Sequence, residues 1–317
     1  MNEKILISIV IPAFKAQYLH EAIASCLAQT YSNFELIVVN DCSPENLEMI
    51  VTNFEDSRIR YYCNAANCGA LNVVDNWNIC LGYCKGDYVI CMGDDDRLKP
   101  CCLEEYIKLI EKYPGLGVYH AWTELIDEKS NYFDIQEPRP EYENVYSLLW
   151  NRWMVRDKQY IGDFLFDVAN LRRNGGFFKL PLAWASDDIS AVIAAAKGGI
   201  ANTQAICFQY RVNPYSITNS GNFDIKVDSI VQERAWYENF LVSRLPQNAM
   251  EQKYYDVILR SKDRFFDRKI GLYLGLGIRQ RWSLFFKFWR KRKELKLNNF
   301  VFKYALFVAV KTRKDIC

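Results

Sequence analysis

The sequence predicts an α/β fold built on an open, mostly parallel sheet flanked by helices. Short β-branched runs alternate along the chain with stretches of helical spacing. The runs are apolar throughout, as strands covered on both faces are. Polar residues recur at their carboxyl ends, where open α/β sheets bind ligands.

The first run, Ile5 to Pro12, ends at a proline and reads as a buried parallel strand. Leu19 to Ala28 has helical spacing, Phe34 to Asp41 is a second strand, and Glu45 to Phe54 a second helix. Arg58 to Tyr62 is a brief third strand and Asn72 to Tyr83 a helix. Asp87 to Met92 is a fourth strand that runs into Gly93-Asp94-Asp95-Asp96. A helix is expected from Cys101 to about Tyr113, then a strand from Leu116 to Trp122. Asn131 to Asn151 carries Pro138 and Pro140 and reads as a loop. Gly175-Gly176-Phe177 is either an acceptor-side turn or a tight bend. Asp187-Asp188 opens an alanine-rich helix that stops at Gly198-Gly199. Ile206 to Val212 is a last strand, and the pattern from Phe223 onward is helical. A boundary near Asn222 gives a main region of residues 1–222, with halves of about 1–100 and 101–222, and a helical extension of 223–317.

Bulk composition narrows the partners. Half of the 317 residues are hydrophobic and a quarter are charged, which suits a folded globular chain. The formal charge of +2 hides an asymmetry. From Arg279 to Cys317 there are 12 Lys and Arg against 2 Asp and Glu, leaving 28 against 36 before it. An acidic body with a basic tail is a partner signal, and the acidic body argues against nucleic acid. The eleven cysteines are odd in number and lack zinc-ribbon spacing, and two distant histidines do not make a His-rich metal site. No signal peptide or membrane-spanning apolar run is read, so a reducing cytoplasm is expected.

The sharpest feature is Asp94-Asp95-Asp96. Three adjacent carboxylates repel one another unless a cation offsets them. Hard oxygen ligands at a strand end suit Mg²⁺ or Mn²⁺, which bind a few carboxylates together with substrate phosphates. A solvated acidic turn ahead of Lys99-Pro100 is the plain alternative.

The triple is preceded, in order, by Val10-Ile11-Pro12-Ala13-Phe14, Leu27-Ala28-Gln29-Thr30-Tyr31, Phe34 through Ser43, Asn67-Cys68-Gly69 and Gly86-Asp87-Tyr88-Val89. This series resembles the family 2 glycosyltransferases, inverting enzymes of the GT-A fold, from Ser8 to Ser216. The resemblance implies a nucleotide-sugar donor, UDP-linked by family frequency, and a Mn²⁺ or Mg²⁺ cofactor. It implies that Pro12, Ala13 and Phe14 line the nucleobase pocket and that Asp41 accepts a hydrogen bond from base or ribose. Asn67 and Gly69 then shape the loop over the nucleotide. Asp95 matches the metal-ligating carboxylate, while Asp94 or Asp96 holds the ribose or a metal-bound water, with Asp94 a second candidate ligand. Asp188 matches the catalytic base with Asp187 beside it. Arg211, followed by Ser216 and Thr218, resembles a closing Tyr-Arg segment that touches phosphate or acceptor. There are departures. Gly93 stands where the family often has the first Asp of Asp-x-Asp-Asp, Cys42 replaces a common glycine, Asn40 a common Asp, and Ala194 to Ala196 lie where an arginine is frequent.

Such parts support a single displacement: a nucleoside diphosphate leaves while an acceptor hydroxyl attacks from the opposite face. A base working near neutral pH needs a neighbour or burial to raise its pKa, and Asp187 is a like-charged neighbour of Asp188. Helix N-capping is the competing reading of this pair. In the tail, Trp282, Phe285, Phe286, Phe288 and Trp289 lie among the cations Arg290 to Lys293. Aromatics on one face and Lys/Arg on the other describe a helix lying in a membrane interface, with about 1 kcal/mol per basic residue near an anionic leaflet. The alternative is a cap on the catalytic region. The expectation is therefore a cytoplasmic, peripheral enzyme at the inner face of the membrane, acting on a glycan or lipid-linked acceptor for cell-surface polysaccharide. Two other classes compete. A nucleotidyltransferase would carry a glycine-rich loop, which Pro12 to Ala16 lacks, and a non-catalytic relative would have lost Asp95 or Asp188.

Overall fold

The computed structural model describes residues 4–155, 158–213 and 222–311. Ser216 and Thr218 lie outside them, as do residues 312–317 of the basic tail. The chain divides into two compact units, Met1–Lys179 with Ser186–Pro214, and Leu180–Ala185 with Tyr215–Cys317. The short segment Leu180–Ala185, which the sequence division assigned to the catalytic region, groups with the C-terminal helices.

The first unit starts with β1 (Ile7–Ala13), α1 (Leu19–Leu27), β2 (Phe34–Asn40), α2 (Leu47–Thr52), β3 (Ile59–Cys63), α3 (Val73–Tyr83) and β4 (Tyr88–Cys91). All seven residues of β2 are buried because the strand is central and covered on both faces. Helix α1 turns Leu19, Ala22, Ile23 and Cys26 to the core at i, i+3, i+4 and i+7. Each Leu or Ile buried in this way contributes about 1.5–3 kcal/mol. Next come β5 (Arg97–Leu98), α4 (Cys102–Lys112), β6 (Val118–Ile126), β7 (Tyr132–Ile135), β8 (Tyr142–Glu143) and α5 (Val145–Trp150). The stretch expected as a loop from Asn131 to Asn151 is therefore structured. β7 pairs with β6, β8 pairs with β10 (Ile200–Arg211), and the Asn144 side chain caps α5 through the N–H groups of Tyr146 and Ser147. Pro138 and Pro140 fall between the two strands, where no ladder hydrogen bond is needed. The unit closes with β9 (Phe164–Asp167), α6 (Val168–Arg173), α7 (Ser186–Ala195) and β10. Two expected strands are longer than their apolar cores suggested. β6 runs on to Ile126, and β10 starts at Ile200 with register shifts between Asn202 and Phe208.

The sheet order is β3-β2-β1-β4-β9-β6-β10-β5. β1, β2, β3 and β4 are mutually parallel. β9 lies antiparallel between β4 and β6, and β6 pairs parallel with β10. Two reversals cancel, so β6 and β10 point the same way as β1 and β4. Strand order reverses beside β1, with β2 and β3 on one side and β4 on the other, which is where ligands bind in such sheets. The Gly175–Phe177 segment is a tight bend. The Phe177 N–H donates to Asn78 Oδ1 (2.8 Å), and Asn78 Nδ2 donates to the Phe177 carbonyl (3.2 Å).

The second unit contains α8 (Phe223–Ser243), α9 (Ala249–Gln280), α10 (Ser283–Lys291) and α11 (Asn299–Val310). Asn248 and Asn298 cap α9 and α11 with their side chains. α9 presents Phe266, Ile270, Leu274 and Ile278 on one stripe, and α11 buries Val301, Phe302, Ala305 and Val308. Gly275 lets these two helices approach closely, since a Cβ there would stand 2.6 Å from the Ala305 carbonyl and from Val308 Cβ. Among the described residues no helix is long and apolar enough to cross a membrane.

Candidate active site

The carboxyl ends of β1, β4, β6 and β10 meet at one edge of the sheet, where Asp94-Asp95-Asp96 follows β4. The Asp94 Oδ2 accepts the backbone N–H groups of Phe14 and Lys15, both at 2.7 Å, tying the triple across the switch point to the end of β1. Burial above all, and then the charge on Asp95, push the Asp94 carboxyl up to about 6. Asp96 is buried, and its Oδ1 accepts the Arg211 backbone N–H at 2.9 Å. Burial and the charge of Asp95 push its carboxyl well up. Asp95 is half-buried, and its carboxyl is raised by burial, with Lys15, Arg211 and a hydrogen bond from Asn213 acting the other way. Gly93 has a steric cause. A Cβ there would lie 2.9 Å from Asp96 Oδ2 and 3.0 Å from Asp95 Oδ1, so a side chain at this position would require those carboxylates to shift.

Arg211, expected from the resemblance to touch phosphate or acceptor, makes its described contacts within the unit. Its side chain is fully buried and committed inside the unit. Nε donates to the Asp95 carbonyl (2.8 Å), Nη1 to the Asp127 carbonyl (3.0 Å) and Ser130 Oγ (2.9 Å), and Nη2 to Glu21 (3.0 Å). The guanidinium also lies 4.0 Å over the Tyr18 ring. It braces the acidic loop against β6 and α1. Arg211→Met should therefore lower stability by on the order of 3 kcal/mol, read by denaturant unfolding, because Glu21 and several carbonyls lose a charged donor.

Pro12 and Ala13 are the last residues of β1, and the exposed Phe14 follows them. Asp41 is buried, and its carboxylate already accepts from Asn64 Nδ2 (2.8 Å) and the Cys68 N–H (3.0 Å). It organises the loop carrying Asn67, which is exposed, and Gly69, whose φ of 74° starts a 3-10 turn at Ala70. Part of the hydrogen-bonding capacity that the resemblance reserved for a nucleoside is thus spent within the chain.

The second carboxylate cluster opens α7. Asp188 is buried; its Oδ1 accepts from Arg152 Nε (2.8 Å) and Gln159 Nε2 (2.6 Å), and its Oδ2 from Arg152 Nη2 (2.9 Å). Asp187 is half-buried and accepts the Asp188 N–H at 2.9 Å. Tyr160 and Tyr210 are stacked with ring centroids 3.6 Å apart. Burial, then the charges of Asp96, Asp95 and Asp187, all raise the Tyr210 phenol, so this ring senses both clusters. Sequence reading missed Arg152, Gln159 and the tyrosine pair, since no local motif marks them. Tyr210 alone had a signal, beside Arg211.

Among the described residues no group of three or more His, Cys, Asp and Glu side chains is arranged to hold a metal ion. With Asp94 and Asp96 turned to backbone donors, Asp95 is the main protein ligand on offer. That set fits an ion that takes one or two carboxylates and completes its shell from substrate phosphates and water.

Comparison with known proteins bears on this arrangement. The model of glycosyl transferase family 2 matches residues 8–167. An uncharacterized glycosyltransferase of Rickettsia typhi is 35% identical over 139 residues, which cover 43% of this chain and 42% of that protein. A putative colanic acid biosynthesis glycosyl transferase of Escherichia coli, WcaA, is 41% identical over 110 residues, covering 34% and 38% respectively. These alignments span less than half the length of either relative. The crystal structure of S. aureus TarS 1–349 in complex with UDP-GlcNAc superposes with a TM-score of 0.63 at 12% identity, covering 98% of this chain and 92% of that one. It shares the GT-A fold, with its mixed, mostly parallel sheet and C-terminal helices. The family match spans half of the chain and takes in β1 through β9, including the ordered motifs and the acidic triple, and so the chain belongs to glycosyl transferase family 2.

Proposed function

We propose that this chain is a metal-dependent, inverting glycosyltransferase that moves a sugar from a nucleoside diphosphate donor to an acceptor hydroxyl. The observation that carries the reading is the pair of carboxylate clusters, Asp94 to Asp96 and Asp187-Asp188, whose charges both act on Tyr210 of the Tyr160–Tyr210 stack at the ligand-binding edge of the sheet. One suits a cation and a diphosphate; the other suits a general base. Asp95 would hold Mn²⁺ or Mg²⁺, which when bound supplies charge compensation for the departing diphosphate. Asp94 keeps Phe14 and Lys15 in place at the nucleotide side, and Asp188 takes the proton of the attacking hydroxyl. The donor would be a UDP-hexose or UDP-N-acetylhexosamine; the solved relative TarS was crystallised with UDP-GlcNAc. The acceptor would be a glycan or lipid-linked sugar used in cell-surface polysaccharide, a context consistent with the description of WcaA. The test is a panel of nucleotide sugars assayed for Mn²⁺-dependent release of the nucleoside diphosphate, with and without lipid-linked acceptors. No release from any member would overturn the reading.

The same proposal places the protein at the inner face of the cytoplasmic membrane. In the second unit Trp282, Phe286 and Trp289 are exposed at i, i+4 and i+7, beside Arg290, Lys291 and Lys293. Phe300 and Phe307 are exposed on α11. Meanwhile Leu284, Phe288 and Phe302 are buried, so the helices keep their own core and still leave an aromatic face uncovered. Exchanging Trp282, Phe286 and Trp289 together for serine should cut sedimentation with anionic liposomes at least about tenfold, since each large apolar side chain contributes about 1.5–3 kcal/mol when buried. Unchanged sedimentation would remove the membrane role and leave transfer untouched.

A further inference from the structure

Asp188 is held by more contacts than an ordinary helix cap needs. Arg152 grips both oxygens from a π-helical turn, Asn151–Val155, that continues α5, and Gln159 donates to Oδ1 from a different segment. Such turns recur at functional sites. The Gln159 amide is itself oriented, because Arg139 Nη2 donates to its Oε1 at 2.8 Å, which turns Nε2 toward Asp188. Arg139 in turn lies 4.0 Å from Glu143. The Asp188 side chain is 5% exposed and the Arg152 side chain 29%, so the pair is partly sheltered from water and weakly screened. Asp187, one residue away, feels the charge of Arg152 without a described hydrogen bond to it; its Oδ1 accepts the Asp188 backbone N–H.

We propose, resting on the glycosyltransferase reading above, that Arg152 is a positioning residue: with Gln159 it keeps Asp188 ionised and aimed, so that the proton shared by the acidic pair resides on Asp187. The physical basis is the difference in partners. An opposite charge at hydrogen-bond distance favours the carboxylate form, and a like charge beside a buried carboxyl favours the acid form. The groups facing the pair agree with this. Asp188 and Asp163 add negative charge around Asp187, Arg152 opposes them from a distance while it is hydrogen-bonded to Asp188, and Tyr160 and Tyr210 are raised phenols that stay neutral. Burial first, and then the charge of Asp188, hold the Asp187 carboxyl up to about 8. Arg152 therefore decides which of two adjacent carboxylates is available as a base, without touching substrate itself.

The test is a carboxyl ¹³C NMR titration of the full chain between about pH 5 and 9, a window above ordinary aspartate values, with the two resonances assigned by Asp187→Asn and Asp188→Asn. In the wild type the Asp188 signal stays flat and the Asp187 signal titrates. In Arg152→Gln the Asp188 signal begins to titrate inside the window, and Arg152→Lys restores the flat trace. Should Arg152→Gln fail to fold, Asp188→Asn in the wild-type background is the second measurement. Removing an ionised neighbour lowers the Asp187 midpoint by about one pH unit or more. A flat Asp188 trace in folded Arg152→Gln, or an unmoved Asp187 midpoint in Asp188→Asn, overturns the proposal. These readouts need no donor sugar. Full transfer activity in Asp188→Asn would instead sink the base assignment and leave the titration result standing.

Discussion

Asp188→Asn should abolish sugar transfer while the protein still binds its nucleotide donor. Asparagine keeps the shape of the side chain and one acceptor for Arg152 and Gln159, so the start of α7 stays folded. What it loses is the ability to take a proton. A positioned general base contributes about 10²–10⁴-fold in rate, and turnover should fall by roughly that factor with the donor dissociation constant within about twofold of wild type. Asp187→Asn should be milder. Its carboxyl, held up to about 8, is mostly protonated at neutral pH, so replacing it with a neutral amide changes little charge there. The measurement is nucleoside diphosphate release beside calorimetric donor binding. Equal damage from the two variants would count against the division of labour between them.

Asp95→Ala should be as severe, for a different reason. Asp94 and Asp96 have backbone partners that they keep with or without a ligand, whereas Asp95 is, under the proposed function, the carboxylate that holds the cation. Its removal should cost roughly 10²–10³-fold in transfer, the scale seen when one charge-stabilising group is removed from an acyl-transfer site. It should also erase the Mn²⁺ dependence of donor affinity, which Asp188→Asn leaves intact. The metal-free protein should meanwhile become more stable, since burial disfavours the Asp95 carboxylate and its charge disfavours those of Asp94 and Asp96. Thermal unfolding without metal checks this: a melting temperature below wild type would contradict the account.

Much of the nucleotide half is legible because its signals are local. Ile7 to Ala13, Phe34 to Asn40 and Tyr88 to Cys91 are short apolar runs with polar ends, and a parallel sheet needs little more. The acceptor half is harder to read. Phe164 to Asp167 is only four residues long and has no flanking turn signal, yet it forms β9 at the centre of the sheet. Tyr132 to Ile135 owes its strand character to the free side of β6 and not to its own composition. The site shows the same split. Residue types at Asp94, Asp95, Asp96 and Asp188 announce carboxylate chemistry, but which oxygen is already occupied depends on partners distant in sequence. Phe14 reaches Asp94 across 80 positions, and Arg211 reaches Glu21 across 190. For that reason neither the brace that Arg211 forms nor the grip of Arg152 on Asp188 is legible in the sequence.

The placement of β9 also bears on how the chain is made. β4 leaves the ribosome with its inner edge bare, and the strand that covers it is synthesised only after α4, β6, β7, β8 and α5 have emerged. A nascent chain halted before Phe164 would carry an apolar, unpaired ribbon able to recruit another copy of itself. Fragments ending near residue 100 should therefore collect in inclusion bodies, while those extending past Arg211 escape them.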